Sequence, residues 1–145
     1  MNDSTVSPTE TIEELTFYVE GKPAPQGSKR HVGNGIMIEA SDYLPAWRKK
    51  VVAAAVEALA GRLGFVHKEA VHCSLEVFLP RGKTVKRELP TVPPDLDKLE
   101  RAVNDALTIA GVWGDDAQVT NSNNSKRYAV ELASPGVRIT VRRAA

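Results

Sequence analysis

Hydrophobic residues recur at three- and four-residue intervals in two stretches of the chain, and this spacing predicts two amphipathic helices. The first helix is expected from about Ser41 or Asp42 to about Leu63, with Trp47 on its apolar face. The second helix follows the proline pair at 93–94. Its apolar stripe consists of Leu96, Leu99, Val103, Ala106 and Leu107. Each helix should bury one face, so Trp47 is expected in the core rather than on the surface as a base-stacking platform.

Alternation of apolar and polar residues predicts β-strands before, between and after these helices. The clearest strand is 70–79, in which every second residue from Val71 to Leu79 is apolar. The other expected strands are 15–20, 118–120, 126–132 and 137–142, together with a hairpin within 14–40. Because this order mixes hairpins with crossovers, we expect an α+β fold, a single domain with a mixed β-sheet and two main helices.

The length and composition are those of one ordinary globular domain. The chain has 145 residues, of which 42% are hydrophobic and 26% are charged. The polar residues 1–12 are expected to form a flexible N-terminal tail, and residues 13–145 the single domain. The longest apolar run, Val51–Val56, is too short to cross a bilayer, and the first residues lack the segments of a signal peptide. We therefore expect no membrane partner.

Cysteine and histidine contribute no recognisable catalytic or metal-binding pattern. Cys73 is the only cysteine, which excludes an internal disulfide framework and a cysteine-rich zinc site. Its place in an alternating strand predicts a buried, inert thiol. The histidines, His31, His67 and His72, lack the spacing of metal ligands and are interpreted as surface or strand residues.

The net charge is +1, but the charges are unevenly distributed along the chain. Residues 21–94 contain twelve Lys or Arg against six acidic residues, residues 95–116 two against six, and residues 117–145 five against one. A metal-dependent nuclease needs such a combination, because basic surfaces attract the phosphate backbone while an acidic pocket binds the metal. The alternative is that the basic residues are dispersed over a solvated surface.

Two pairs of aspartates bracket the second predicted helix. Asp95 lies at or near its N-cap and Asp97 in its first turn, whereas Asp115 and Asp116 follow the glycines that end it. If the chain folds back, these carboxylates converge on a small volume and repel one another unless a cation lies between them. Oxygen ligands of this kind suit Mg²⁺ or Mn²⁺. The alternative is structural, since acidic residues also cap helices and Gly-Asp-Asp also forms turns.

One face of the same helix combines both signs of charge. Asp97, Arg101 and Asp105 follow one another at four-residue intervals, which places them in a row along the helix. A cation beside acidic residues is suited to contact a phosphate that approaches a metal. The combination of a proline-flanked DLD, this basic residue and a GxxGDDxQ sequence is much more specific than either acidic pair alone.

The segments PDLDKLERAVNDAL and AGVWGDDAQV closely resemble the signature of the RusA family of Holliday junction resolvases. These are Mg²⁺-dependent endonucleases of bacteria, prophages and phages that act as homodimers. The resemblance implies that Asp95, Asp97 and Asp116 are the essential metal-binding acids. It also matches Asp115 to the acid next to the last of them and Asp105 to the aspartate of the family's DAL triplet. A weaker resemblance, through GKPAPQGSKR, extends over most of the chain.

The sequence departs from the family pattern at two positions. Arg101 replaces a lysine that contributes to catalysis in the family. Arginine keeps the positive charge but does not release a proton, so it could contact phosphate but not act as a general acid. Lys98 replaces an asparagine that usually follows DLD, and adds a cation near the predicted site.

Two loops contain the remaining candidates for DNA contact. The loop after the first strand, which prolines and glycine keep irregular, and the proline-bounded loop 80–94 are both rich in cations. The second leads directly to DLD and is the better candidate for gripping the substrate. With Lys98, the expected DNA-binding residues are Lys22, Lys29, Arg30, Arg81, Lys83, Lys86 and Arg87. The alternative is that both are merely exposed loops.

The resemblance and these features together predict an endodeoxyribonuclease that resolves four-way junctions by symmetric paired nicks, with Mg²⁺ or Mn²⁺ as cofactor. Two symmetric cuts require a two-fold dimer, and the resemblance implies a location in the bacterial or phage-infected cytoplasm. Two other classes stay open: a module that binds branched DNA without cutting it, and a metal-dependent phosphohydrolase that acts on a small molecule.

Overall fold

The strands with alternating apolar and polar residues form a central sheet, and two amphipathic helices pack on one face of it. A computed structural model describes residues 11–27, 29–31, 37–39, 42–130 and 133–144; for 29–31 and 37–39 it describes the backbone. The elements are β1 (Glu14–Glu20), β2 (Lys29–His31), β3 (Met37–Glu39), α1 (Leu44–Leu59), β4 (Val71–Leu79), α2 (Leu96–Ala110), a 3₁₀ turn (Asp116–Gln118), β5 (Val119–Asn121), β6 (Ser125–Tyr128) and β7 (Gly136–Arg143). Within the described ranges none of the helices is long and apolar enough to span a membrane.

The main sheet has five strands and mixes parallel with antiparallel pairing. Strand β7 lies between β1 and β4 and is antiparallel to both. The far edge of β4 pairs in parallel with β5 near Val71 and with β6 from Glu76 to Leu79. Strands β5 and β6 therefore lie one after the other along a single edge, and the segment between them carries the chain along β4.

The hydrophobic core lies between one face of this sheet and the two helices. The alternating residues of β4 that were expected to point one way are all buried, and Trp47 of α1 is 2% exposed. Helix α2 buries the face formed by Leu99, Ala102, Val103, Ala106 and Leu107, and packs against α1. Gly111 then ends α2 in the left-handed conformation, at φ 85°. These contacts fix α2, and with it the acidic residues at its start.

Several predicted boundaries are wrong for identifiable reasons. Helix α1 begins at Leu44 rather than at Ser41 or Asp42, because Pro45 occupies its first turn, where proline is favoured. It ends at Leu59 instead of Leu63, since the chain turns left-handed at Ala60. Leu63, which was expected on the apolar face, is 50% exposed.

Strand pairing differs more from the expectation than strand location does. The hairpin predicted within 14–40 does not include β1, which pairs with β7 instead; β2 and β3 pair only with each other among the described strands. The strand expected at 118–120 is shifted by one residue, to Val119–Asn121, since Gln118 lies in the 3₁₀ turn. The strand expected at 126–132 is shorter and ends at Tyr128. The expected α+β domain with a mixed sheet and two helices is confirmed. The tail predicted for residues 1–12 lies mostly outside the described residues, and Ile12 is buried.

Candidate active site

Helix α2 begins at Asp95, whose carboxylate is not used for capping. The Asp95 carbonyl accepts the first helical hydrogen bonds, from the backbone nitrogens of Lys98 and Leu99. Its side chain makes no capping bond and is 56% exposed; it lies 3.7 Å from the Lys98 ammonium. Helix capping therefore does not account for an aspartate at this position, and the carboxylate is available to a ligand.

A cleft beside the first two turns of α2 brings together residues from both acidic pairs. We call it the acidic cleft; its volume is about 360 Å³, and it is lined by Asp97, Lys98, Glu100, Arg101, Asn104 and Asp116. The return of the chain through the 3₁₀ turn after α2 thus places Asp116 in the same cleft as Asp97 and Arg101. Asp95 does not line this cleft but faces the neighbouring one, together with Lys98.

The two aspartates of the second pair have different environments. Asp115 caps the 3₁₀ turn, since its Oδ1 accepts a 2.8 Å hydrogen bond from the Ala117 backbone nitrogen. This bond holds the pKa of Asp115 below its usual range. Desolvation raises the pKa of Asp116, and the nearby carboxylates of Asp115 and Asp105 raise it further. Asp116 is therefore the member of the pair that gains most from a nearby cation.

A buried glutamine fixes the turn that presents these aspartates. Gln118 is 5% exposed, and its Oε1 accepts hydrogen bonds from the backbone nitrogens of Gly114 and Asp115. Its Nε2 donates to the carbonyls of Val66 and Glu69, at 2.9 and 3.0 Å. The whole side-chain amide is thus used to hold the Gly-Asp-Asp turn against the segment before β4.

A polar chain of three side chains connects the loop after β1 to both helices beside Asp116. Arg48 of α1 donates a 2.7 Å bond to Gln26 Oε1, and Gln26 Nε2 donates to Asp105 Oδ2. The Gln26 backbone nitrogen also donates to the carbonyl of Lys98. Arg48 and Asp105 share a second cleft with Asp115 and Asp116. Sequence reasoning missed Gln26 and Arg48; the only hint was the GKPAPQGSKR motif, which contains Gln26.

Arg101 packs directly over the same loop. Gly27, at φ +88°, lies under the Arg101 guanidinium, and a side-chain carbon there would collide with the arginine Nη1. In the described part of the chain Arg101 forms no ion pair. Its charge is therefore held in place by packing and is available to an anion in the acidic cleft.

A lysine from β6 anchors the proline loop that precedes Asp95. The Lys126 ammonium donates two 2.9 Å hydrogen bonds, to the carbonyls of Val92 and Pro94. Sequence reasoning also missed this residue, because nothing local distinguishes it from other strand lysines. Lys126 ties the backbone immediately before Asp95 to the edge of the sheet.

The expected DNA-binding residues divide into four groups. Lys22, Arg87 and Lys98 line the groove in which Asp95 lies. Arg81 folds back on its own loop, donating to the carbonyls of Val85 and Arg87. Lys83 and Lys86 are exposed on that loop. Lys29 and Arg30 lie in β2 by their backbone, and their side chains are outside the described part.

The cysteine and the histidines contribute little. Cys73 is buried, and burial raises the pKa of its thiol to about 12, as expected of an inert residue. His72 contacts Asn121 Oδ1 at 2.7 Å on the outer side of β4. His67 lines a small cleft with Asp115, a proximity that its spacing did not indicate; the His31 side chain lies outside the described part.

The donor atoms suit a hard cation, although the carboxylates are not gathered as a closed set. Among the described residues no group of three Asp, Glu, His or Cys side chains is arranged to hold a metal ion. Mg²⁺ is usually bound by one or two carboxylates, with water and substrate phosphate as the other ligands. Asp97 and Asp116 on one cleft, with the pKa of Asp116 raised by its acidic neighbours, fit that requirement.

The fold and the clefts define a class before any comparison: a small α+β protein whose acidic cleft adjoins a cation-lined groove, as suits a polyanionic substrate. The sequence model of the endodeoxyribonuclease RusA family matches residues 20–142. The chain therefore belongs to this family, which confirms the resemblance of its DLD and GDD segments and makes it a member of a nuclease family. No curated protein is found to match the chain.

Proposed function

We propose that this protein is a Mg²⁺-dependent, structure-selective endodeoxyribonuclease that resolves four-way DNA junctions by symmetric paired nicks. The observation that carries the proposal is the acidic cleft, where Asp97 and Arg101 of α2 meet Asp116 from beyond the helix. Membership of the family supplies the reaction class, hydrolysis of DNA phosphodiesters. The cleft supplies residues that can perform it.

Asp97 and Asp116 would hold the metal, with Asp95 as the third ligand. Asp95 lies in the adjoining groove, so it would join them when a cation competes with Lys98 for its carboxylate. When bound, Mg²⁺ would polarise the phosphoryl oxygen and lower the pKa of an attacking water. Asp115 would act indirectly, because its capping bond orients the turn that carries Asp116.

Arg101 would contact the scissile phosphate and the negative charge that develops on it. Its packing over Gly27 keeps the guanidinium at the cleft, and an arginine supplies charge and hydrogen bonds without releasing a proton. Gln26 and Asp105 would maintain this geometry by linking the loop to α2.

The cations of the two loops would bind the DNA backbone on either side of the cut. Lys22, Arg87 and Lys98 lie beside Asp95, and Lys83 and Lys86 extend the basic surface outward. Lys29, Arg30 and Arg81 complete the proposed set. Two copies of the chain, one site each, would cut the two symmetric strands in the cytoplasm of a bacterial or phage-infected cell.

Substitution of the two cleft aspartates tests the proposal. Asp97→Asn and Asp116→Asn should each bind a synthetic four-way junction and cut it at least about a hundredfold more slowly in Mg²⁺. Glu57→Gln, on an exposed part of α1 away from the cleft, is the matched control and should cut normally. Full activity in either aspartate variant would refute the assignment.

One rival has support in a specific residue. Because Arg101 stands where the family has a catalytic lysine, the protein could bind branched DNA without turning it over. In that case the wild-type protein would bind the junction without nicking it, and Arg101→Lys would begin to cut. We expect the opposite, paired nicks by the wild-type protein.

A further inference from the structure

The groove that contains Asp95 is lined by aromatic and apolar residues as well as by cations that attract phosphate. It has a volume of about 690 Å³ and lies between the loop after β1, the start of α1, the proline loop and the first turn of α2. We call it the basic groove; its lining includes Lys22, Tyr43, Arg87, Asp95, Lys98 and Tyr128. Prolines from both loops make much of its wall apolar. It therefore combines apolar surface with charge.

An exposed aromatic ring stands at one end of the groove. Tyr43 is 57% exposed, although it directly precedes α1. Its side chain makes no capping hydrogen bond, so the helix does not require it there. The Lys22 ammonium lies 4.0 Å from the centre of the ring. The ammonium covers one side of the ring in a cation–π contact, so a base would stack on the ring's remaining exposed surface while its phosphate contacts the ammonium.

A second aromatic and cation pair lies across the groove. Arg87 Nη1 is 3.4 Å from the Tyr128 hydroxyl, and the Arg81 guanidinium lies 5.5 Å from the Tyr128 ring centre. Tyr128 is only half-buried but packs on the core, so it forms a fixed wall rather than a mobile platform. Three cations line the groove, Lys22, Arg87 and Lys98, against the acids Asp42 and Asp95. The excess of positive charge favours an anionic strand.

We propose that the basic groove binds an unpaired nucleotide of the strand that is cut, with its base stacked on Tyr43 and its phosphates on Lys22 and Arg87. Bases expose their faces only where pairing and stacking are interrupted, as at a branch point, and stacking on an aromatic ring tolerates any base. This inference rests on the proposed function and specifies its substrate: branch points with unpaired nucleotides are bound better than fully paired ones.

Binding measurements in chelator test the groove without cleavage. Fluorescence anisotropy would compare a fully paired four-way junction with the same junction carrying two unpaired thymidines at its centre. The wild-type protein should prefer the second by roughly tenfold, since stacking one base on an aromatic side chain contributes on the order of 1–3 kcal/mol. Tyr43→Ala should abolish this preference, and Tyr43→Phe should keep it.

Two further variants make the result specific. Leu63→Ala removes a side chain that is 50% exposed elsewhere on the surface, and should keep the full preference. Lys22→Gln should weaken binding of the unpaired junction and reduce the salt slope by about one charge. A wild-type protein without the preference, a Tyr43→Ala variant that retains it, or a Tyr43→Phe variant that loses it would overturn the inference. Cleavage of the paired junction in Mg²⁺, measured in parallel, tests the proposed function independently.

Discussion

The aspartates around α2 have the same side chain but different environments, and their environments determine what each carboxylate can do. The Asp115 carboxylate accepts a backbone hydrogen bond. Asp95 occupies the N-cap position of α2, but its side chain makes no capping hydrogen bond. Desolvation raises the pKa of Asp116, and the neighbouring carboxylates of Asp115 and Asp105 raise it further. A carboxylate kept in such an unfavourable place is typical of a functional site.

The raised pKa of Asp116 predicts that the ionised carboxylate lowers the stability of the metal-free protein at neutral pH. A carboxyl whose pKa is raised by folding destabilises the protein above that pKa, and the effect disappears below the ordinary pKa of an aspartate. In chelator at pH 7, Asp116→Asn should therefore raise the melting temperature by a small amount, about 2 °C or less for a group so exposed to water.

Thermal unfolding at several pH values checks this prediction. The gain should shrink as the pH falls toward 3 and should also shrink when Mg²⁺ is added to the wild-type protein. Asp115→Ala is the useful contrast, since loss of the capping bond should lower the melting temperature. If Asp116→Asn were less stable than the wild type in chelator, the ionised Asp116 carboxylate would not be destabilising, which contradicts this prediction.

Gly27 provides a test of Arg101 that leaves the arginine unchanged. At φ +88° a side chain is strained, and a Cβ atom would displace the guanidinium from its present place. Gly27→Ala should lower kcat for junction cleavage by roughly ten- to a hundredfold, because small displacements at a reacting phosphate are costly. Gly111→Ala, at a similar φ of +85° but with no atom within 4 Å of the added Cβ, is the matched control and should cut at close to the wild-type rate. Equal activity in both variants would separate Arg101 from catalysis.

Local patterns predicted the elements that carry the site better than they predicted their neighbours. Helix α2 was predictable because its apolar stripe is strongly periodic and a glycine ends it. The start of α1 was not, because Pro45 outweighed the usual capping residues. The pairing of β5 and β6 with β4 was not predicted either. Parallel pairing depends on a partner more than forty residues away, and no short-range signal encodes it.

Lys126 shows how one element positions another. Its two hydrogen bonds hold the proline loop to β6, and charged hydrogen bonds of this kind contribute about 1–3 kcal/mol. Lys126→Gln should loosen the approach to Asp95, so that kcat falls about tenfold and more Mg²⁺ is needed for half-maximal activity. Arg127→Gln, the exposed neighbour on the same strand, should change neither quantity by more than about twofold. A purely structural role would lower stability without altering the Mg²⁺ requirement.

At the scale of the whole molecule, the sequence identified the acidic segment but not the network behind it. Asp97 and Asp116 are close enough in sequence, and flanked by clear enough turns, for their meeting in one cleft to be predicted. The Gln26 to Asp105 bond joins residues 79 positions apart, and no local pattern pairs the two residues. Contacts of that range emerge only when the sheet and helices have assembled.

The separation of charge predicts a strong dependence on salt. If the cations of both loops contact phosphates, the logarithm of the association constant for junction DNA should fall steeply with the logarithm of salt concentration, by about 0.9 per phosphate contacted. Measuring affinity between 50 and 200 mM salt, concentrations over which such contacts typically weaken by orders of magnitude, tests this directly. A flat response would favour the remaining alternative, a phosphohydrolase of small molecules.

The central claim is that Asp97, in the first turn of α2, and Asp116, in the 3₁₀ turn that follows the helix, jointly bind a divalent cation. Electron paramagnetic resonance of Mn²⁺ added to the junction-bound protein measures this without relying on turnover. We expect Asp97→Asn and Asp116→Asn each to weaken Mn²⁺ binding by at least about tenfold, and Glu57→Gln to leave it unchanged. Wild-type affinity in both aspartate variants would contradict the account.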